Sequence, residues 1–334
     1  MPTLSVKENF MRVMNGQTPE YIPTYNMMWG MGGMLPQMMG VRNPDGSGKD
    51  IWGVEYEMPS GTLEIANPNT KGEFLLKDIT KWRDVIKKPD IVITDSEWEA
   101  LAKEANDHRD PNLPFAVMGG LGPFQQLMGL MGFTEGLSAC FEEPEEVKEL
   151  LNFMADFYDP ITKNLVHYHK PDFGAFGDDI AHERNPFVSL EMFRDIFGPI
   201  WKRTYDIYNE AGIPSTHHNC GHFQPLLDDL YNMGCTFWEP VQGSNDIAEI
   251  REKYGIKMAL CSGGIEALRL PFDITEEEVR QMMRDYIDVA AKDGGWCIFE
   301  FDPTFGVPSF TDINNKHVNW IYDEFLKVQY TYYN

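Results

Sequence analysis

The residues best equipped for chemistry are His218 and Cys220, two positions apart in Pro214-Ser215-Thr216-His217-His218-Asn219-Cys220-Gly221. The stretch is β-branched and polar, with Pro before it and Gly after, which predicts a strand running into a loop. Side chains on a strand repeat every second residue, so His218 and Cys220 would point the same way. An imidazole and a thiolate so placed form half of a soft metal site. Taken alone, a His-x-Cys pair is more often ordinary packing. Further candidates follow nearby apolar runs: Asp178 and Asp179 after 173–177, Glu239 between Trp238 and Pro240, and Cys261 after 257–260. A mixed nitrogen, sulfur and oxygen set suits zinc first, with His218, Cys220, Glu239 and Cys261 as its candidate ligands. Asp179, Asp178 and Glu239 could also handle protons.

For these residues to meet, the chain must bring several strand ends together. Val6, Phe10, Val13 and Met14 recur at helical spacing, and Asn15-Gly16 stops that helix. Residues 21–26 read as a buried strand that empties into a loop rich in Gly and Met. There Met27, Met28, Trp29 and Met31 are either core filler or an adaptable apolar wall for a ligand. Residues 41–75 carry turn signals and predict a hairpin excursion. From residue 115 onward, strands near 115–120, 173–177, 214–220, 236–239, 257–261 and 296–301 alternate with helices, which implies a parallel sheet.

About eight strand candidates and no linker-like change of composition predict one α/β domain over residues 1–334. Its fold is a (β/α)8 TIM barrel with N-terminal helical and hairpin additions. A barrel of this kind carries its chemistry at the carboxyl ends of the strands, which turns the scattered candidates into one cluster. His222, one residue past Gly221, would line the same pocket. His217 faces the other way. Cys140, Cys235 and Cys297 belong to the core, Cys297 because it opens its strand, about 16 Å below the top at ~3.3 Å per residue.

Composition narrows the function. The chain has 334 residues, 43% of them hydrophobic, and a formal net charge of −24 from 28 basic and 52 acidic side chains. That balance argues against a nucleic-acid partner, because phosphate binding needs clustered Lys and Arg. No apolar run approaches the ~20 residues that cross a bilayer. The first residues lack the pattern of a secretory signal, and five scattered cysteines give no disulfide framework, so the expected compartment is the reducing cytoplasm. No glycine pattern for cradling phosphates is present.

Several stretches together resemble the uroporphyrinogen decarboxylase superfamily. They are Lys7-Glu8-Asn9-Phe10, Asn15 to Pro23, Gly177-Asp178-Asp179-Ile180, Ser189-Leu190-Glu191-Met192-Phe193, His218-Asn219-Cys220-Gly221 and Gly306-Val307-Pro308. The resemblance spans nearly the whole chain and implies a (β/α)8 barrel. The decarboxylases of that superfamily bind a many-carboxylate tetrapyrrole through arginines after the first strand. The loop here, Asn26-Met27-Met28-Trp29-Gly30-Met31, has none, and a polyanion would meet a strongly acidic chain.

The corrinoid-dependent methyltransferases of the same superfamily hold zinc through a His-x-Cys pair, which His218 and Cys220 match. A last Cys usually precedes their final Gly-Ile-Pro-like turn. Thr304-Phe305-Gly306-Val307-Pro308 lacks it, so Glu239 and Cys261 complete the sphere, or the metal is held differently, or it is absent. The resemblance thus implies an enzyme that moves a methyl group from a small methylated donor, an aryl methyl ether by preference, to cobalamin on a separate corrinoid-binding protein. Three alternatives stand beside it: a methylcobamide:thiol methyltransferase, a metal-free lyase, and a non-catalytic corrinoid-binding barrel.

Overall fold

In the computed structural model, the described residues are 2–25, 28–29, 41–43, 47–57, 67–68, 73–299 and 316–333. Local chemistry sets the element boundaries. Helix α1 (Val6–Met14) starts at a capping box in which the Ser5 hydroxyl accepts the Glu8 N–H and the Glu8 carboxylate accepts the Ser5 N–H. The other helices of six or more residues are α2 (Asp95–Asp107), α3 (Pro123–Met131), α4 (Phe133–Glu142), α5 (Pro144–His169), α6 (Gly198–Glu210), α7 (Leu227–Asn232), α8 (Ile247–Tyr254), α9 (Glu276–Ala290) and α10 (Lys316–Val328). Asp246 caps α8, and a second capping box, Thr275 with Glu278, opens α9.

The strands are β1 (Met28–Trp29), β2 (Val41–Arg42), β3 (Gly48–Lys49), β4 (Glu55–Glu57), β5 (Asn67–Pro68), β6 (Phe115–Met118), β7 (Phe173–Gly177), β8 (Ser215–His218), β9 (Phe237–Glu239), β10 (Ala259–Ser262) and β11 (Trp296–Ile298). Strands β2 to β5 form a separate antiparallel sheet, the expected excursion. The other seven are parallel, in the order β1-β6-β7-β8-β9-β10-β11. The two ends of that order are joined by a parallel bridge between Thr24 and Ile298. Across it the Tyr25 N–H donates to the Ile298 carbonyl at 2.7 Å, and the Ile298 N–H to the Pro23 carbonyl at 3.1 Å. The fold is an α/β barrel of the TIM type, and among the described residues it shows seven parallel strands where the sequence suggests about eight.

Alternation along the strands sorts residues into two layers. Phe176, Trp238, Leu260, Trp296 and Ile298 face the helices and join the large outer core, whereas Ala116, Phe173, Phe237, Ala259, Cys261 and Cys297 fill the interior. Helix α1 closes the amino-terminal end of that interior. Fully buried Phe10 packs against Phe173 and Phe237 at ring separations of 5.9 and 5.8 Å, beside Val13 and Met14. With that end filled, polar chemistry is confined to the opposite rim, where β7, β8 and β9 stop.

Candidate metal centre

Register alone aligns the three strand ends: Gly177 pairs with His218, and His218 with Glu239. Strand β8 stops at His218, so Cys220 reaches the same place by the turn that follows rather than by strand alternation. Its sulfur lies 3.8 Å from His218 Nε2. Asp179 Oδ1 is also 3.8 Å from Nε2, and the ligand atoms of Asp179, His218 and Cys220 all fall within 4.8 Å of one another. Bonds of about 2.0–2.3 Å around a tetrahedral cation put its ligand atoms roughly 3.3–3.8 Å apart. The spacing and the mixed donor set therefore fit a zinc-sized ion.

The surrounding hydrogen bonds orient each donor. His218 Nδ1 is 2.9 Å from Glu239 Oε2, so its proton belongs to that carboxylate and Nε2 is left facing Asp179 and Cys220. Asp179 is held at both oxygens: Oδ1 accepts the Cys220 N–H at 2.8 Å, and Oδ2 accepts the Gln125 side-chain amide at 3.2 Å. Burial by itself would pull the His218 pKa down. The Glu239 carboxylate, with Cys220 and Asp179 adding to it, outweighs burial and holds the pKa well above the usual imidazole range. Without a metal, this imidazole carries a proton where an ion would otherwise sit.

The structure redistributes several expected roles. Glu239 is 5% exposed and lies behind the imidazole, with the Tyr25 hydroxyl 3.4 Å from its other oxygen; it orients His218 and stands outside the group of ligand atoms. Asp179, expected as a proton-handling group, is the third member of the group whose ligand atoms could hold an ion. Asp178 is wholly buried and accepts the N–H groups of Phe124 (3.0 Å), Gln125 (2.9 Å) and the Trp201 indole (2.9 Å). It fastens β7 to the start of α3 and gives substrate no access. Burial pushes its pKa up to about 7 against the pull of those three donors.

Cys261 is fully buried in the interior layer and lies outside the candidate group of ligand atoms. Strand β9 stands between β10 and β8, which puts Cys261 two strand spacings, about 9.5 Å, from His218, beyond Glu239. It pairs in register with Cys297, so the two thiols lie at one level and the expected depth difference is absent. Burial raises the Cys261 pKa well above the normal thiol range, with Cys297 and the Glu239 charge adding to the effect. Cys140, Cys235 and Cys297 are buried as expected. His222 turns away: its Nδ1 is 2.8 Å from the Ser244 carbonyl, and it lines a separate cleft of about 440 Å³ with Asp246, Lys253 and Tyr254.

His217 faces the helices, with Nδ1 2.7 Å from the Tyr205 hydroxyl. Met28 and Trp29 form β1, which pairs with β6, and nothing is described of their side chains. Met27, Met31 and the 304–308 segment lie outside the described residues. Gln125 escaped the sequence reading. The Gly122-Pro123 helix start just after β6 was the available signal, since the first turn of such a helix overhangs the barrel mouth.

Comparison with known proteins agrees with this architecture. The family model for uroporphyrinogen decarboxylase (URO-D) matches residues 53–319. No curated protein matches the sequence. Among solved structures, a methyltransferase from Methanosarcina mazei superposes on 99% of this chain and 100% of its own, with 12% identity and a TM-score of 0.60. A D-psicose 3-epimerase from Clostridium cellulolyticum H10 covers 71% of this chain and 84% of its own, with 10% identity and a TM-score of 0.37. At 12% identity the likeness to the methyltransferase is one of fold.

Proposed function

The chain belongs to the uroporphyrinogen decarboxylase family, and from that premise we propose that it is a zinc-dependent methyltransferase. It would take the methyl group of a small methylated donor, an aryl methyl ether by preference, and deliver it to the reduced cobalt of a corrinoid carried by a separate protein. The supporting observation is the Asp179–His218–Cys220 triad, with Glu239 orienting the imidazole from behind. The fold likeness to the Methanosarcina mazei methyltransferase is consistent with this reading. We read residues 1–334 as one catalytic unit working in the cytoplasm. Among the described residues no helix is long and apolar enough to cross a membrane.

Zinc, when bound by Asp179, His218 and Cys220, would supply Lewis acidity to an ether or phenolic oxygen. The bond that breaks joins the methyl carbon to that oxygen. Its electron pair stays with the oxygen, which takes a proton from water as the product departs, while the methyl carbon bonds to the acceptor. The protein's own groups prepare this displacement. Glu239 holds the His218 tautomer, and Gln125 with the Cys220 N–H fixes the Asp179 carboxylate. The half-exposed mouth admits donor from one side and acceptor from solvent. Asp179, His218, Cys220 and Glu239 together carry more potential negative than positive charge, which disfavours a polyanionic tetrapyrrole. A thiol acceptor gains little support, because Cys261, two strands away from His218, adds no second sulfur to the group.

Two measurements test the reading together. Protein purified without chelator should hold close to one zinc per chain, lost in Cys220→Ser, and should form methylcobalamin from a methoxyarene and reduced cobalamin. Absence of bound metal, or no methyl transfer from any donor in a panel of methoxyarenes, methanol and methylamines, sinks the proposal in favour of a metal-free lyase or a binding protein.

A further inference from the structure

A group of aromatic side chains links the connections that support Asp179 and Cys220, and part of it stays open to solvent where core packing does not account for it. Residues 181–187 fold into a short hairpin: Ala181 bridges Pro186, the His182 N–H donates to the Asn185 carbonyl at 3.0 Å, and the Phe187 N–H to the Ile180 carbonyl at 2.9 Å. One end of this hairpin lies against the residue after Cys220. Gly221 has φ +81°, and a Cβ there would come within 2.7 Å of the His182 carbonyl oxygen, so only glycine lets the two backbones approach this closely. The His222 N–H donates to the same carbonyl at 2.8 Å.

The other end lies against the partner of Asp179. The Phe187 ring stacks flat on Phe124, 5.4 Å away with 13° between planes, and the next residue, Gln125, is the one that holds Asp179. His182 packs on Phe187 at 5.0 Å, and Phe133 meets Phe187 edge-on at 5.2 Å and 64°. Phe124 is buried, as a core ring should be, whereas Phe133 is 51% exposed and His182 is exposed. An aromatic shelf open to solvent thus runs between the supports of two of the three ligands. Met118, 41% exposed, ends β6 on the same face as the interior residue Ala116 and adds apolar surface at the rim.

We propose that His182, Phe187 and Phe133 seat the ring of the methyl donor and so select aryl over alkyl ethers at the triad, an inference that rests on the methyltransferase reading above. Rings at 4.5–7 Å in offset or edge-on contact gain attraction beyond area burial, and an acidic rim otherwise gives an uncharged ring little to hold.

The test uses full-length, zinc-loaded protein and two probes of similar size, phenol and cyclohexanol, followed by titration calorimetry. Wild type should bind phenol more tightly than cyclohexanol. Phe133→Ala should weaken phenol about five- to tenfold, with cyclohexanol binding and zinc content unchanged. Phe187→Leu, which keeps the packing on Phe124, should weaken phenol in the same direction and guards against a folding defect in the first variant. Unchanged phenol affinity in both folded variants overturns the shelf, and so does absent or unselective phenol binding in wild type. If phenol binding depends on Phe133 but wild type transfers no methyl from any donor, the shelf stands and the methyltransferase reading falls.

Discussion

Two charge clusters in this molecule are built on opposite principles. At the contact of α9 and α10, the Glu324 carboxylate, 4% exposed, accepts from Arg280 at 3.2 Å, Arg284 at 2.9 Å and the Lys327 ammonium. Burial pushes its pKa up, but the three cations outweigh burial and hold it below the usual range. At the barrel mouth, Asp179, Cys220 and Glu239 surround His218 alone. One buried acid shared by three bases, whose arginines also reach the outer carboxylates of Glu276, Glu277 and Asp323, is a finished structural clamp. Two carboxylates and a thiol around one imidazole remain short of positive charge, which a divalent cation would supply. Both clusters look alike as lists of charged residues; the balance of sign separates a staple from a site.

The largest contrast should come from removing a ligand. Cys220→Ser or His218→Ala should abolish stoichiometric zinc after dialysis, measured by elemental analysis, with little change in urea unfolding of the metal-free protein. Zinc retained at full stoichiometry in both would remove the triad from the metal site. Next in size is Glu239→Gln. An orienting carboxylate typically contributes about 10- to 100-fold in metal affinity, so competition with a chromophoric chelator should show a loss in that range at unchanged stoichiometry. A change of stoichiometry instead would make Glu239 a ligand. The clamp should behave inversely. Glu324→Ala removes the one buried carboxylate that the three cations share, leaving the arginines only their outer partners Glu276, Asp323 and Glu277, and should cost about 1–3 kcal/mol in urea unfolding while zinc affinity stays the same. A shift in zinc affinity would couple the two regions and break the comparison.

Much of the site could be read in the sequence because one topological rule supplied it. Alternating strands and helices imply a parallel barrel, and the barrel puts Asp179, His218, Cys220 and Glu239 on one rim. Which of those groups ligates could not be read, because it depends on which face of the imidazole each neighbour meets. That follows from register and side-chain torsions, and it puts Glu239 on Nδ1 and Asp179 on Nε2. Cys261 stands apart from the candidate group for a related reason: it lies one residue before the end of its strand, but Nε2 of His218 faces Asp179 and Cys220, on the side away from β10. Gln125 and the 181–187 shelf lie in connections, where short-range patterns carry little information about long-range neighbours.

The smallest effect, and the one most specific to how the rim is built, concerns pH. The folded-state pKa of Asp178 is raised to about 7, so the folded protein binds this proton more readily than the unfolded chain does. Its contribution to stability is complete below the unfolded value, near ~3.9, and is lost as pH rises through about 7. Glu324, with its lowered pKa, works the other way: its contribution is present above the unfolded value near ~4.3 and disappears only in acid. Urea unfolding of metal-free protein between pH 5 and 8 should therefore show a decline with pH, at most about 1.4 kcal/mol per unit from one group. Asp178→Asn should flatten that slope. Because one amide NH₂ must then face an N–H donor of Phe124, Gln125 or Trp201, it should also lower stability at every pH by about 1–3 kcal/mol. Glu324→Ala should leave the slope between pH 5 and 8 intact. His218, with its raised pKa, and His217, with its lowered one, add shares of opposite sign in the same window, so the Asp178 share is the difference in slope between wild type and Asp178→Asn. No difference would mean that Asp178 is ionised throughout, its three N–H donors outweighing the cost of burial.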